Sequence, residues 1–371
     1  MAKMKHLPAL DGIRGAAVLL VVILHFGGGA QSGHLVLRSI GLFIQLGWSG
    51  VTLFFILSGF LITGILWDSR SVPRWWRSFY LHRTRRIFPL YFATLFVVFL
   101  TALFAHKAIF CLSRLWVYAF FLQNIPLFFS RLENVGSPLW LSHFWSLAVE
   151  EQFYLIWPFL LTRMKTIRQA QHLCTVVFLL SVLFRAAIWR FSSQPMAYNG
   201  FLFARAGELA AGGYLAMCFR DRQWERLQSM APLLAILSLA GLLATCAMTG
   251  TFRVDNGPGM NLGLPCATAL YASLLVLSLG NGVVHRFACM PWLRWFGGIS
   301  YGLYVFHQLL NPVYTSLSFA IAPHLRHNSS YALKFVIGIA ISILLAWLSL
   351  RYFETPFRKG KATHNPDRVH A

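Results

Sequence analysis

LPALDGIRGAAVLLVVILHF, residues 7–26, is the stretch on which the reading of this chain turns. It is an apolar run, and about 20 such residues in a helix cross a hydrocarbon core. Asp11 and Arg14 interrupt it near its start, and His25 stands at its far end. In a helix the steps from Arg14 to His25 turn through about 1100°, three turns plus roughly 20°, so the two side chains share one face about 16 Å apart. Ionisable groups at membrane depth are costly and usually face a protein interior or a wet cavity, where they do chemistry or transport. The run has no A-x-A-type cleavage site, so it reads as a retained first span and not a removable signal peptide.

Working outward, the rest of the chain has the same character. Of 371 residues, 57% are hydrophobic and only 12% charged, with a mean hydropathy of +0.60, whereas a soluble domain carries about 25% charged residues. The expectation is an all-α polytopic membrane protein. No polar block is long enough for a soluble domain, so residues 1–357 read as a single integral-membrane domain followed by a basic cytoplasmic tail, 358–371. Ten spans are expected at roughly 9–27, 45–67, 86–106, 145–162, 171–190, 201–218, 231–249, 263–281, 297–316 and 332–351. Loops on the N-terminal side then hold 21 Lys and Arg, and loops on the opposite side hold 8. The positive-inside bias places both termini in the cytoplasm. Topology therefore accounts for the net charge of +21, which in a soluble chain would suggest nucleic acid; the partner expected here is the lipid bilayer. Six cysteines without C-x-x-C or metal-ligand spacing read as small core residues, and no metal is expected.

Residues 108–130 do not fit the count. LWVYAFFLQNIPLFF is apolar enough to cross, yet a span here would invert every later loop and put the basic ones outside. A re-entrant or interfacial segment resolves this, because irregular backbone at membrane depth is tolerated where protein or a wet cavity surrounds it. Gln123, Asn124 and Pro126 suit such a place.

Four other stretches bear on function. In GWSGVTLFFILSGFLIT, residues 47–63, Gly50, Ser58 and Gly59 read as a helix-packing surface. RSVPRWWRSFYLHRTRRIFPLY follows it, mixing arginine with aromatic residues. It reads either as a topology signal lying on anionic lipid or as a phosphate site, with Arg83 and Arg86 one turn apart where a span begins. HFWSLAVEEQFYLIWP, residues 143–158, sets Glu150 and Glu151 inside an apolar run. Adjacent positions differ by about 100°, so only one can comfortably face the Arg14–His25 stripe. The other would partner arginine: Arg185 or Arg205, the latter also able to pair with Glu208. GGISYGLYVFHQ, residues 297–308, places Tyr301, Tyr304 and His307 at helical spacing, as packing residues or as part of a site.

Together LDGIRGAAVLLVVILHF, GVTLFFILSGFLIT, HRTRRIFPLY, HFWSLAVEEQFYLIWP and GISYGLYVFH resemble the signatures of the membrane-bound acyltransferase-3 family, in family order. The resemblance implies transfer of an acyl group, most often acetyl, from cytoplasmic acyl-CoA to a hydroxyl on an extracytoplasmic acceptor, such as a sugar of a surface polysaccharide or lipid-linked glycan. It also implies a place in the bacterial cytoplasmic (inner) membrane. The family's R-x10-H falls on Arg14 and His25, and its R-x-x-R, implicated in holding the donor, falls on Arg83 and Arg86. Its W-S-L-x-x-E-x-x-F-Y falls on Trp145, Ser146, Leu147, Glu150, Phe153 and Tyr154, favouring Glu150 as the inward carboxylate. Some members carry a further span and an extracytoplasmic hydrolase-like domain; this chain stops after its tenth span, so none is expected.

The roles that follow are His25 as general base, Arg14 and Glu150 as its catalytic companions, and Arg83, Arg86 and Arg14 as acyl-CoA ligands. Asp11, Trp145, Tyr301 and His307 are the candidates for contacting substrate. The rival class is a transporter or flippase for a lipid-linked glycan, using the same buried charges as a path.

Overall fold

Helices make up the whole architecture: the computed structural model describes residues 6–27, 35–129, 135–321 and 327–358 and has no strand among them. Lys3, Lys5 and, beyond Arg358, the expected basic tail lie outside the described residues.

Helix α1 (Pro8–Gly27) is the expected first span, starting on a proline, a residue whose fixed φ and missing N–H suit the first helical position. Helix α2 (Leu35–Gln45) continues through a 3-10 turn, Leu46–Trp48, into α3 (Ser49–Ser69). Next come α4 (Trp75–Phe104), α5 (Ala108–Ala119) and α6 (Pro126–Phe129). They are followed by α7 (Trp145–Leu161), α8 (Ile167–Phe191), α9 (Leu202–Cys218) and α10 (Gln223–Thr249). A π-helical turn, Gly259–Gly263, leads into α11 (Leu264–Ser278), and α12 (Val283–Ala288), α13 (Pro291–Leu309) and α14 (Asn311–Ile321) succeed it. Helix α15 (His327–Leu348) ends in a second π-helical turn, Ser349–Glu354, before the short α16 (Thr355–Arg358).

Seven helices among the described residues are long and apolar enough to cross a membrane: Pro8–Gly27, Ile40–Ser69, Trp75–Phe104, Ile167–Phe191, Gln223–Thr249, Gly259–Ser278 and Ala332–Arg358. The protein is thus an integral, multi-pass membrane protein. The remaining three expected spans fall on α7, α9 and α13, helices of 17, 17 and 19 residues. Their apolar character is diluted by Glu150, Arg205, Glu208 and His307, side chains that only an interior position accommodates. Helix α9 buries nearly all its residues, whereas α8 and α10 turn most of their leucines outward.

The 108–130 segment is α5, a turn with Phe121 at φ 54°, and α6. Twelve residues of α5 rise about 18 Å, short of a hydrocarbon core about 30 Å thick. Protein groups meet its polar side chains: Gln123 donates to the Phe144 carbonyl at 2.9 Å, and Asn124 exchanges hydrogen bonds with Gln152 at 3.0 and 2.7 Å.

Close approach of backbones holds the centre together. A Cβ at Gly297 of α13 would lie 1.9 Å from the Asp11 carbonyl oxygen, and one at Gly12 of α1 would lie 1.7 Å from that of Ala288. Lipid tails are as apolar as leucine, so helix association in a bilayer depends on such small-residue contacts. Helix α1 is accordingly packed between α13 and α3, with α15 and α12 also against it, and its polar stripe faces protein.

Candidate active site

A cavity partly open to solvent lies where α1, α3, α4, α7 and α13 meet. Arg14 enters it from α1, Ser58 from α3, Arg83 and Arg86 from α4, Ser146, Glu150 and Tyr154 from α7, and Ser300, Tyr301 and Tyr304 from α13. Residues distant in sequence therefore share one space.

The cationic end is built in layers. Arg14 Nη1 donates to Asp11 Oδ1 at 3.2 Å, and the other Asp11 oxygen meets His6 Nε2 at 2.7 Å. Asp11 thus orients Arg14 from outside the cavity lining. Arg83 lays its guanidinium over the Tyr154 ring, 4.6 Å from the centroid. Neither Arg83 nor Arg86 has a hydrogen bond or ion pair with any described residue, so their donors remain open to an anion. Glu150 faces the cavity beside the hydroxyls of Ser58 and Tyr154 and within electrostatic reach of Arg83 and Arg86. Glu151 is absent from the lining, as the 100° step between neighbours requires.

At the other end the stripe on α1 terminates in a group of three imidazoles. His25 Nδ1 lies 2.8 Å from the Val21 carbonyl. A carbonyl only accepts, so the proton sits on Nδ1 and Nε2 keeps its lone pair. The His307 ring is 4.9 Å from His25, and the His143 ring is 5.2 Å from His307. His307 Nδ1 donates to the Tyr304 carbonyl at 2.7 Å and His143 Nε2 to that of Val305 at 3.2 Å. This leaves His307 Nε2 and His143 Nδ1 buried without a partner among the described residues.

His25 itself does not line the cavity. The link between the two ends is Tyr304, which lines the cavity and packs its ring 5.2 Å from His143 and 5.7 Å from His307. Its hydroxyl donates to the His143 carbonyl and accepts from Ser146, a second lining residue, at 2.8 Å.

The other sequence candidates are distributed around this frame. Tyr301 faces the cavity while its hydroxyl donates to the Ile87 carbonyl at 2.7 Å. Trp145 lies off the cavity, edge-on to Phe55 at 6.2 Å and 5.6 Å from the Arg205 guanidinium. Arg205 pairs with Glu208 at 3.2 Å. Gly50 and Gly59 are packing residues, approaching the carbonyls of Ala17 and Leu209, but Ser58 is a cavity residue. The sequence carries no periodic signal for His143, an isolated histidine before Phe144; only the fold places it against His307.

Comparison with known proteins adds to this geometry. A family model described as an acyltransferase domain matches residues 7–351. The chain is 29% identical to the peptidoglycan O-acetyltransferase OatA of Listeria monocytogenes, over 96% of this chain and 56% of OatA. It is 27% identical to YrhL of Bacillus subtilis, named as a candidate peptidoglycan O-acetyltransferase, over 95% of this chain and 55% of YrhL. A candidate O-acetyltransferase of Staphylococcus aureus is also 27% identical, with 96% and 58% covered. The chain spans little more than half the length of these relatives. No solved structure matches it.

Proposed function

Because the chain belongs to the acyltransferase-3 family, we propose that it moves an acetyl group from cytoplasmic acetyl-CoA to a hydroxyl of a cell-envelope glycan beyond the membrane. Peptidoglycan is the acceptor named in two of its relatives and is the first to test here. The observation that carries the proposal is the cavity itself: Arg14, Arg83 and Arg86 converge on it, the latter two without a hydrogen bond or ion pair among the described residues, and Tyr304 in its lining packs against His143 and His307.

Unpaired guanidinium groups fit phosphate oxygens, which they can meet through two parallel hydrogen bonds. Arg83 and Arg86 hold the nucleotide phosphates, and Arg14, fixed by Asp11, engages the donor deeper in the bundle. The pantetheine arm then runs along the stripe toward His25. His25 Nε2, with its lone pair available, takes the proton from the acceptor hydroxyl as the oxygen attacks the thioester carbonyl. The carbon–sulfur bond breaks, the acyl group stays on the acceptor oxygen, and His25 returns the proton to the departing thiolate. Glu150 balances the arginine charges near the donor. The route from cavity to His25 opens when Tyr304 leaves its hydrogen bonds to Ser146 and the His143 carbonyl. The protein acts in the bacterial cytoplasmic membrane with both termini inside.

Binding of acetyl-CoA to the detergent-solubilised chain is the direct test, paired with mass spectrometry of envelope glycans from cells with and without the protein. Saturable binding and loss of O-acetyl groups are expected. A chain that moves lipid-linked glycan as a transporter has no reason to recognise the coenzyme, so absence of binding would refute the enzyme reading. Labelled acetyl-CoA supplied without acceptor distinguishes direct transfer from an acetyl-histidine: label retained by wild type and lost in His25→Ala would replace the general-base step with a nucleophilic one.

A further inference from the structure

The second π-helical turn is unaccounted for by the cavity described so far. Such turns are rare and often mark functional sites. Here Ser349–Glu354 carries the chain into α16, which packs against α4, the helix bearing Arg83 and Arg86. Glu354 is 3% exposed. Its Oε1 accepts from Ser349 Oγ at 3.1 Å and its Oε2 from Arg358 Nη2 at 2.7 Å. The Arg358 side chain remains 31% exposed.

A buried carboxylate thus anchors one edge of a half-open guanidinium. Arginine has five N–H donors, and only one of those on Arg358 is in a hydrogen bond with a described residue, so the rest are free to meet a ligand. The position matters as much as the count. The charge of Arg358 reaches both Arg14 and Arg86, and that of Glu354 reaches Arg86 and the cavity tyrosine Tyr301. Arg14, Arg83 and Arg86 line the cavity and Arg358, off the lining, acts on two of them, an arrangement that repulsion disfavours until an anion joins it. They also differ in exposure: the Arg14 side chain is 16% exposed and that of Arg358, at the end of the last described helix, 31%.

We propose that Arg358, held by Glu354, is a phosphate ligand at the mouth of the cavity and contacts the 3′-phosphate of the coenzyme donor. This rests on the acyl-CoA reading above and adds to it a determinant of which nucleotide is accepted. Coenzyme A carries its ribose 3′-phosphate at the end remote from the thioester, and Arg358 is more exposed than Arg14. A phosphate at the membrane surface could also belong to a lipid headgroup, and the experiment separates the two.

The probes are coenzyme A and 3′-dephospho-coenzyme A, titrated calorimetrically against the detergent-solubilised full chain. Wild type is expected to bind coenzyme A at least about tenfold more tightly than the dephospho form, the effect of one charge-assisted hydrogen bond. Arg358→Gln should bind the two equally, at the level wild type shows for the dephospho form, and Arg358→Lys should restore part of the preference. The readout is a ratio of two ligands on one sample, so partial loss of folded protein does not move it. Retention of the full wild-type ratio in Arg358→Gln overturns the assignment. So does equal binding of both nucleotides by wild type, the result expected if Arg358 serves only a lipid headgroup. Binding of neither by wild type removes the acyl-CoA reading along with it.

Discussion

At the scale of single residues, the two ends of the α1 stripe call for opposite signatures. His25 does not line the cavity that holds the arginines, so His25→Ala should leave coenzyme binding intact and reduce acetyl transfer by about 10²–10⁴-fold, the usual contribution of a general base. Transfer at the wild-type rate would remove His25 from the mechanism. Arg86→Ala should do the reverse, weakening acetyl-CoA binding by about tenfold or more in a calorimetric titration. Arg86→Lys should recover little of it, because a point charge on a flexible stem does not reproduce a planar fork. Equal affinities for wild type and Arg86→Ala would place the phosphates elsewhere. The sequence supplied Arg14, His25, Arg83, Arg86 and Glu150 through their spacing and their resemblance to family signatures. It gave no such signal for His143, whose significance lies in a 5.2 Å approach to His307 across two elements far apart in the chain.

At the scale of elements, the α1–α13 crossing decides whether the stripe faces a cavity or lipid. Gly297 lets the Asp11 carbonyl come within what would be 1.9 Å of a side-chain carbon, while its neighbour Gly298 has open space there. Gly297→Ala should therefore lower the thermal stability of the solubilised protein clearly, at about 1–3 kcal/mol or more for an overpacked contact. Gly298→Ala should stay within about 0.5 kcal/mol, as surface substitutions do. Equal melting temperatures for the two variants would mean that the crossing is not as tight as described. Sequence reading found the small residues on α3 but assigned all of them to packing. Ser58 instead bonds Tyr154 across the cavity, because one face of α3 meets α1 and α9 while another meets α7.

At the scale of the whole molecule, the excess of basic residues on one side predicts an orientation that labelling can read. In a cysteine-free background, Arg253→Cys should react with a membrane-impermeant maleimide added to intact cells, and Ser71→Cys should react only after lysis. The opposite pattern would invert the path proposed for the acyl group. Hydropathy by itself determined that this chain is helical and membrane-embedded, and placed its principal helices, because the requirement to satisfy backbone polar groups in lipid leaves few alternatives. It also showed that 108–130 is anomalous, since a span there would break the charge asymmetry. Periodicity put Arg14 and His25 on one side of α1, but no local pattern specifies what that side meets. Only the tertiary structure decided that the arginines share a cavity, that Tyr304 links its lining to the histidines, and that Glu354 pairs with Arg358. Those facts depend on contacts between helices brought together from distant parts of the chain, and such contacts leave no trace in the spacing of residues along any one of them.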